Sequence, residues 1–273
     1  MKILIIGGNR FSGKQLSNEL VLRGNEVDVF NRSGTGISNI NIIQGDRNNK
    51  SDLEKINFDK YDCIVDMCLY LSTQFNLIKD LIPTSVNYIF VSSVAVYYTE
   101  DFGEYGIEKK NIEELLKKTD INYKIVRPSY IVGRGTHRPR LGYLIDKLKN
   151  GEMIPFKKEE CSNKINLVFV QDVVKCLLTL VEDVSEKHKA YNVCSDKSIT
   201  MNEIIDFLKS ELNVEEHYTI DDVAGVAIDS TAFQELAMIP NSDQEPDNLE
   251  IKKDYGISFI DVKEGIREYI NEY

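Results

Sequence analysis

A chain of 273 residues, 42% of them hydrophobic, can bury a sizeable core as one large domain, or as a domain with a smaller lobe, which excludes general disorder. Its formal net charge of −11 repels phosphate backbones and disfavours non-specific nucleic-acid binding. The opening MKILIIGG lacks the longer apolar stretch of a signal peptide, and no apolar run approaches the ~20 residues that span a bilayer, so a soluble cytoplasmic protein is expected.

Short apolar runs alternate with helical patterns over the first 130 or so residues, the order expected of a parallel sheet covered by helices on both faces. Strands are expected at Met1–Ile6, Glu26–Phe30, Ile40–Gln44, Cys63–Met67, Tyr88–Ser92 and Tyr123–Arg127. Helices fall between them at Lys14–Arg23, Lys50–Ile56, Gln74–Leu81 and Tyr105–Lys118. A Gly/Arg/Pro-rich stretch, Gly133–Arg140, is followed by a helix at Leu141–Lys149, a strand at Asn166–Val170 and a helix at Asp172–Val181 that its own first acid would cap. Ala190–Val193 reads as a last sheet strand and Thr200–Leu212 as a helix, while the acidic, weakly periodic run Val214–Asn248 suits a small second lobe. The fold class is therefore α/β, a Rossmann-type doubly wound parallel sheet with a smaller C-terminal lobe. Residues 1–133, completed by about 162–200, would form the first part; 134–161 and 201–273 would form the lobe.

Directly after the first strand comes Gly7-Gly8-Asn9-Arg10-Phe11-Ser12-Gly13, with a helix behind it. A dinucleotide pyrophosphate needs a turn free of side chains and a helix N-terminus facing the anion, and Gly7 and Gly13 suit that, with Asn9, Arg10, Phe11 and Ser12 lining the turn. The middle glycine of the dinucleotide fingerprint is absent, Arg10 or Phe11 standing in its place. At the end of the second strand an acid would bind the ribose hydroxyls of NAD, yet the sequence there is Phe30-Asn31-Arg32-Ser33. Asn31, Arg32 and Ser33 therefore favour the 2′-phosphate of NADP, with NAD as the alternative; Arg10 either joins Arg32 on that phosphate or clamps the pyrophosphate common to both.

Tyr105-Gly106-Ile107-Glu108-Lys109 is Y-x-x-x-K, which places phenol and ammonium on one helix face, a turn apart. A nearby ammonium is expected to lower the phenol pKa and suit Tyr105 to acid-base work. Upstream, Val91-Ser92-Ser93 closes an apolar strand with hydroxyls at its carboxyl edge, where open α/β sheets bind ligands.

Glycine loop, V-S-S-x-A-V-Y, Y-x-x-x-K and Arg127-Pro128, in this order, resemble the extended short-chain dehydrogenase/reductases, which include the NAD-dependent epimerase/dehydratase family. The likeness runs from Met1 to about Val193. It implies that Ser93 orients a substrate hydroxyl or carbonyl, that Tyr105 moves the proton, and that Lys109 tunes Tyr105 and holds the nicotinamide ribose. It also implies that Asp46 contacts adenine, that Met67 lines the adenosine pocket, that Pro128 meets the nicotinamide end, and that a homodimer forms through helix Tyr105–Lys118. The expected activity is NAD(P)-dependent oxidoreduction, epimerisation or dehydration of a small molecule of nucleotide-sugar type.

Ser93 and Tyr105 are only twelve positions apart, so the substrate-facing loop Tyr98–Glu104 is short for a sugar-nucleotide epimerase. The form G-G-x-R-F-x-G resembles a branch that also includes chloroplast stem-loop RNA-binding proteins, which leaves a non-catalytic RNA-binding or cofactor-sensing role as the alternative. Arg134, His137, Arg138 and Arg140 form a basic cluster in an acidic chain. Arg138 and Arg140, with Tyr130, either bind an anionic substrate or belong to a solvated loop. Five cysteines without a C-x-x-C pair, and no histidine at ligand spacing, point to reduced core thiols and no metal.

Overall fold

Alternation of side chains across the pleat sends Ile3 and Ile5 of β1 (Lys2–Ile6) into one core and Leu4 and Ile6 into the other. Both faces are therefore covered, the condition under which parallel sheets occur. The computed structural model describes residues 1–36, 39–136, 140–154, 160–217 and 245–273.

From β1 the chain runs through α1 (Phe11–Leu22), β2 (Glu26–Asn31), β3 (Asn41–Gln44), α2 (Lys50–Leu53), β4 (Cys63–Asp66) and α3 (Ser72–Ile78). It continues with β5 (Asn87–Val91), α4 (Thr99–Leu116), β6 (Tyr123–Pro128), β7 (Tyr130–Val132), α5 (Arg140–Lys149), β8 (Lys164–Ile165), β9 (Leu167–Phe169) and α6 (Val170–Glu182). The described chain closes with β10 (Lys189–Val193), β11 (Ile199–Thr200), α7 (Met201–Leu212), α8 (Leu249–Tyr255) and α9 (Val262–Glu272). Seven parallel strands form the central sheet in the order β10-β6-β5-β4-β1-β2-β3. The strand order reverses between β1 and β4, and the crevice at such a switch point is where doubly wound sheets receive ligands.

One core joins the sheet to α1, α6 and α8 through residues such as Leu16, Leu177 and Ile251; the other joins it to α3 and α4 through Phe75, Ile112 and Leu116. Each fully buried side chain of this size contributes roughly 1.5–3 kcal/mol. A third cluster, including Leu144, Ile165, Met201, Ile204 and Ile266, packs α5, α7 and α9 around the short ribbons β7–β9 and β8–β11. No described helix is long and apolar enough to cross a membrane.

Three expectations are corrected. Asp172 does not cap α6, which starts two residues earlier behind Phe169; the buried carboxylate accepts a hydrogen bond from Ile260 N at 2.8 Å and pairs with Lys175. Helix α1 starts at Phe11 rather than Lys14. The segment between Ser93 and Tyr105 is not a loop, because a 3-10 turn over Val94–Tyr97 leads into α4 at Thr99, which kinks at Gly103 (φ 53°). Most of the expected second-lobe run, residues 218–244, lies outside the described residues.

Candidate active site

The carboxyl end of β1 turns at Gly7, whose N–H donates to the Phe30 carbonyl at 3.0 Å. Gly7 has φ +89°, and a Cβ there would stand 2.8 Å from the Cys68 side chain. At Gly13 a Cβ would come within 2.9 Å of Gly8 Cα, so α1 approaches the turn as closely as backbone allows. Phe11, beside the place of the missing middle glycine, takes a left-handed conformation, φ 44°; an aromatic residue adopts it only at a cost of about 1–3 kcal/mol. Arg10 is the extended N-cap of α1, makes no side-chain cap, and the first turn holds no acid. The free N–H groups of that turn face the glycine loop as a ready anion site. This cradle fits a dinucleotide pyrophosphate.

At the end of β2, Asn31 closes its own loop: its Oδ1 accepts from Gly34 N at 2.9 Å and from Ser33 Oγ at 3.0 Å, and its Nδ2 donates to the Thr35 carbonyl at 3.1 Å. Asn9 reaches the same loop through Thr35 Oγ1 at 3.3 Å. Arg10 and Arg32 are both exposed and make no ion pair among the described residues. Asp46 Oδ1 accepts from Asn48 N and Nδ2 at 2.9 and 2.8 Å, which shapes the turn into α2. Met67 N donates to Ile6 O at 3.0 Å, and Pro128 is buried beside Val193.

Beneath the glycine loop lies a buried ion pair that no motif announced. Arg47 Nη1 and Nη2 donate to Asp66 Oδ1 and Oδ2 at 2.7 and 3.0 Å, and the Tyr88 hydroxyl donates to Asp66 at 3.1 Å. Arg47 also reaches Cys68 Sγ at 3.4 Å. Burial pulls the Arg47 pKa down, but the adjoining carboxylate outweighs it, and the guanidinium stays charged.

The three residues of the catalytic pattern meet at the carboxyl edge of β5. Gly106 lets α4 approach, since a Cβ there would be 2.7 Å from the Ala95 carbonyl. Ser93 caps the 3-10 turn through Ala95 N, and its side chain acts on the Tyr105 phenol, favouring the ionised form against burial. Lys109 is 2% exposed and donates to the carbonyls of Leu69 and Val91 at 2.8 and 2.9 Å. The Tyr105 ring remains 37% exposed, yet burial around its hydroxyl pushes the phenol pKa up; the Ser93 side chain and the Arg140 charge only oppose this. The expectation that Lys109 lowers the phenol pKa is thus corrected. Burial, reinforced by Arg47, brings Lys109 itself down to about 7, against Asp66, Cys68 and Glu113.

Two groups that the sequence reading passed over, Glu113 and Tyr97, join Arg127 at this edge. The only local signal was an acid one turn beyond Lys109. On the lobe side, Tyr130 lines a cleft with Leu144, Ile165, Met201 and Ile204, whose empty space, counted out to open solvent, is about 540 Å³. The Tyr130 hydroxyl is buried with no hydrogen-bond partner among the described residues, and Arg140 covers its ring at 5.0 Å. His137 and Arg138 lie outside the described residues.

The sequence pattern of the NAD dependent epimerase/dehydratase family matches residues 72–194. The chain is 25% identical over 229 residues to the chloroplast stem-loop binding protein of 41 kDa b of Arabidopsis thaliana, across 74% of this chain and 60% of that protein's length. The UDP-glucose 4-epimerase of Thermotoga maritima, solved with UDP-glucose, superposes with a TM-score of 0.75 at 16% identity, covering 100% of this chain and 99% of that one. The dTDP-glucose 4,6-dehydratase of Bacillus anthracis, in complex with NAD, gives 0.74 at 14% identity, covering 100% and 96%. The Bordetella bronchiseptica enzyme WbmG, with NAD and UDP, gives 0.75 at 18% identity, covering 99% and 94%. The segment that holds Ser93, Tyr105, Lys109 and Arg127 thus matches the pattern of the NAD dependent epimerase/dehydratase family, and the chain shares the fold of the solved epimerases and dehydratases.

Proposed function

We propose that the protein is an NAD(P)-dependent oxidoreductase or epimerase that acts at a hydroxyl- or carbonyl-bearing carbon of a nucleotide-sugar-type substrate. The observation that carries this reading is the placement of Ser93 at the carboxyl edge of the sheet with Tyr105 and buried Lys109 one turn apart on α4, next to the glycine cradle. When bound, the nicotinamide supplies the hydride chemistry. Gly7, Ser12, Gly13 and the first turn of α1 receive the pyrophosphate, and Arg10 and Arg32 take the 2′-phosphate of NADP, the preferred form. Asn9, Phe11, Asn31 and Ser33 shape the adenosine side, Asp46 meets adenine with its uncommitted oxygen, and Met67 and Pro128 line the two ends. Lys109 holds the nicotinamide ribose.

Ser93 orients the substrate oxygen, and Tyr105 gives or takes its proton. A phenol kept protonated by burial suits proton donation in the free protein, and its ionised form is favoured only when a further positive charge arrives. Tyr130, together with Arg138 and Arg140 of the lobe formed by 134–161 and 201–273, binds the substrate. The five free thiols suit a reducing compartment, the cytoplasm, and a homodimer through α4 remains part of the reading.

Mass spectrometry of small molecules released from the native protein tests this proposal: a retained nicotinamide dinucleotide, with or without a sugar nucleotide, is expected. Release of neither, together with no dinucleotide binding on reconstitution, would reject it. A second reading, RNA stem-loop binding, draws on the name of the Arabidopsis relative. Tight retention of a structured RNA at physiological salt would favour it, whereas the net charge of −11 speaks for loss of binding there.

A further inference from the structure

Glu113 lies one helical turn beyond Lys109 on α4 and is 2% exposed. Its Oε1 accepts from the Ser92 hydroxyl at 2.6 Å and from Arg127 Nε at 2.9 Å, and its Oε2 accepts from Arg127 Nη2. Arg127 Nη1 donates to the Tyr97 hydroxyl at 2.6 Å, Tyr97 donates to Asn192 Oδ1 at 3.0 Å, and Asn192 Nδ2 donates to the Asp247 carbonyl at 2.9 Å. This chain of bonds runs from α4 across the carboxyl ends of β5, β6 and β10.

Stability alone gives little reason for such a pair, because apolar replacements of buried ion pairs are often neutral or stabilising. The kink at Gly103, two residues before Tyr105, supplies a reason of another kind. The first turn of α4 cannot set the height of Tyr105 through a continuous helix, so the anchor has to come from the far side, through Lys109 and Glu113.

We propose that Glu113 is a positioning residue for the Tyr105–Lys109 pair, tying α4 to the sheet edge so that both side chains face Ser93, and placing a fixed negative charge one turn from Lys109. The proposal rests on the cofactor reading given above. The groups that face Lys109 are Glu113 and Tyr105 from α4, Asp66 from β4, Cys68 and Tyr70 from the loop after it, and Arg47 from the turn before α2. Removing the Glu113 carboxylate removes one of the charges that favour the ammonium, so the lysine loses its proton at lower pH.

The test is calorimetric titration of NAD⁺ into the wild-type protein, Glu113→Gln and Glu113→Gln/Arg127→Met between pH 6 and 9. With Lys109 holding the ribose as an ammonium, affinity falls as pH rises through its pKa. The Gln variant should bind nearly as the wild type does at pH 6 and several-fold more weakly near pH 8, because Glu113 is one of the charges that keep the proton on Lys109. The double variant, which leaves no unpaired guanidinium, should regain the thermal stability lost by Glu113→Gln, and because it loses a cation with the anion its pH profile should lie between those of the wild type and the single variant. If Glu113→Gln does not fold, Glu113→Gln/Arg127→Gln is compared with Arg127→Gln, so that the Glu113 charge is again the only difference. A wild-type pH profile in the Glu113→Gln comparison overturns the inference alone; failure of the wild type to bind either NAD⁺ or NADP⁺ overturns the cofactor reading and the inference with it.

Discussion

Lys109 Nζ stands 5.9 Å from the centre of the Tyr105 ring, and its hydrogen bonds go to the Leu69 and Val91 carbonyls rather than to the phenol. It is Ser93 and Arg140, not Lys109, that favour the ionised form of the phenol against burial. Tyr105→Phe should therefore cut turnover on the true substrate by ~10²- to 10⁴-fold, the usual weight of general acid-base catalysis, and leave cofactor affinity nearly unchanged. Steady-state rates and a cofactor titration on the same preparation check this; a wild-type rate would remove Tyr105 from the mechanism.

The depressed pKa of Lys109, about 7, has a sign that stability measurements can read. An unfolded lysine holds its proton to about 10.4, so between the two values the unfolded chain binds more protons and the folded state gains stability as pH rises. That contribution is complete above the unfolded value and is lost as pH falls through about 7. Urea unfolding of the cofactor-free protein and of Lys109→Met should give a difference in stability that moves in favour of the wild type from pH 6.5 to pH 9; a difference independent of pH contradicts the assignment.

Asp66 and Arg47 form a pair that is costly to break. Removing one partner strands a buried charge, typically at about 3–5 kcal/mol, so Asp66→Ala should lower the free energy of unfolding by that order in urea titrations. A loss below about 1 kcal/mol would mean that water or another acid compensates Arg47.

Much of this architecture was legible because it is local. The strand-glycine-helix start, the positions of the sheet strands along the chain and the Y-x-x-x-K register each follow from residues within a few positions of one another. What was missed depends on the tertiary fold. Asp172 looked like a cap because it opens an apolar period, but Val170 and Gln171 already belong to α6, and its partner is Ile260. Arg47 follows an expected adenine contact with no hint that it turns inward to Asp66. The phenol pKa was misjudged because spacing shows the neighbouring charge and hides the burial of both groups.

Arg10 and Arg32 are exposed beside a loop in which Asn31 is fully occupied in shaping the turn. One charge-assisted hydrogen bond to a 2′-phosphate contributes roughly 1.5–3 kcal/mol, so NADP⁺ should bind about tenfold or more tightly than NAD⁺. The ratio should fall towards one in Arg10→Ala/Arg32→Ala. An unchanged ratio in that variant would assign the arginines to the shared pyrophosphate or to solvent.

Calorimetric titration of the folded wild-type chain with NADP⁺ and with NAD⁺ tests most directly whether this fold is used to hold a nicotinamide cofactor. Saturable one-to-one binding is expected, at micromolar dissociation constants for NADP⁺, and abolished by Gly13→Val, whose Cβ would collide with Gly8 Cα at 2.9 Å and push the start of α1 off the glycine turn. No heat of binding for either dinucleotide at millimolar concentration, from a chain with an intact cooperative unfolding transition, would contradict the account.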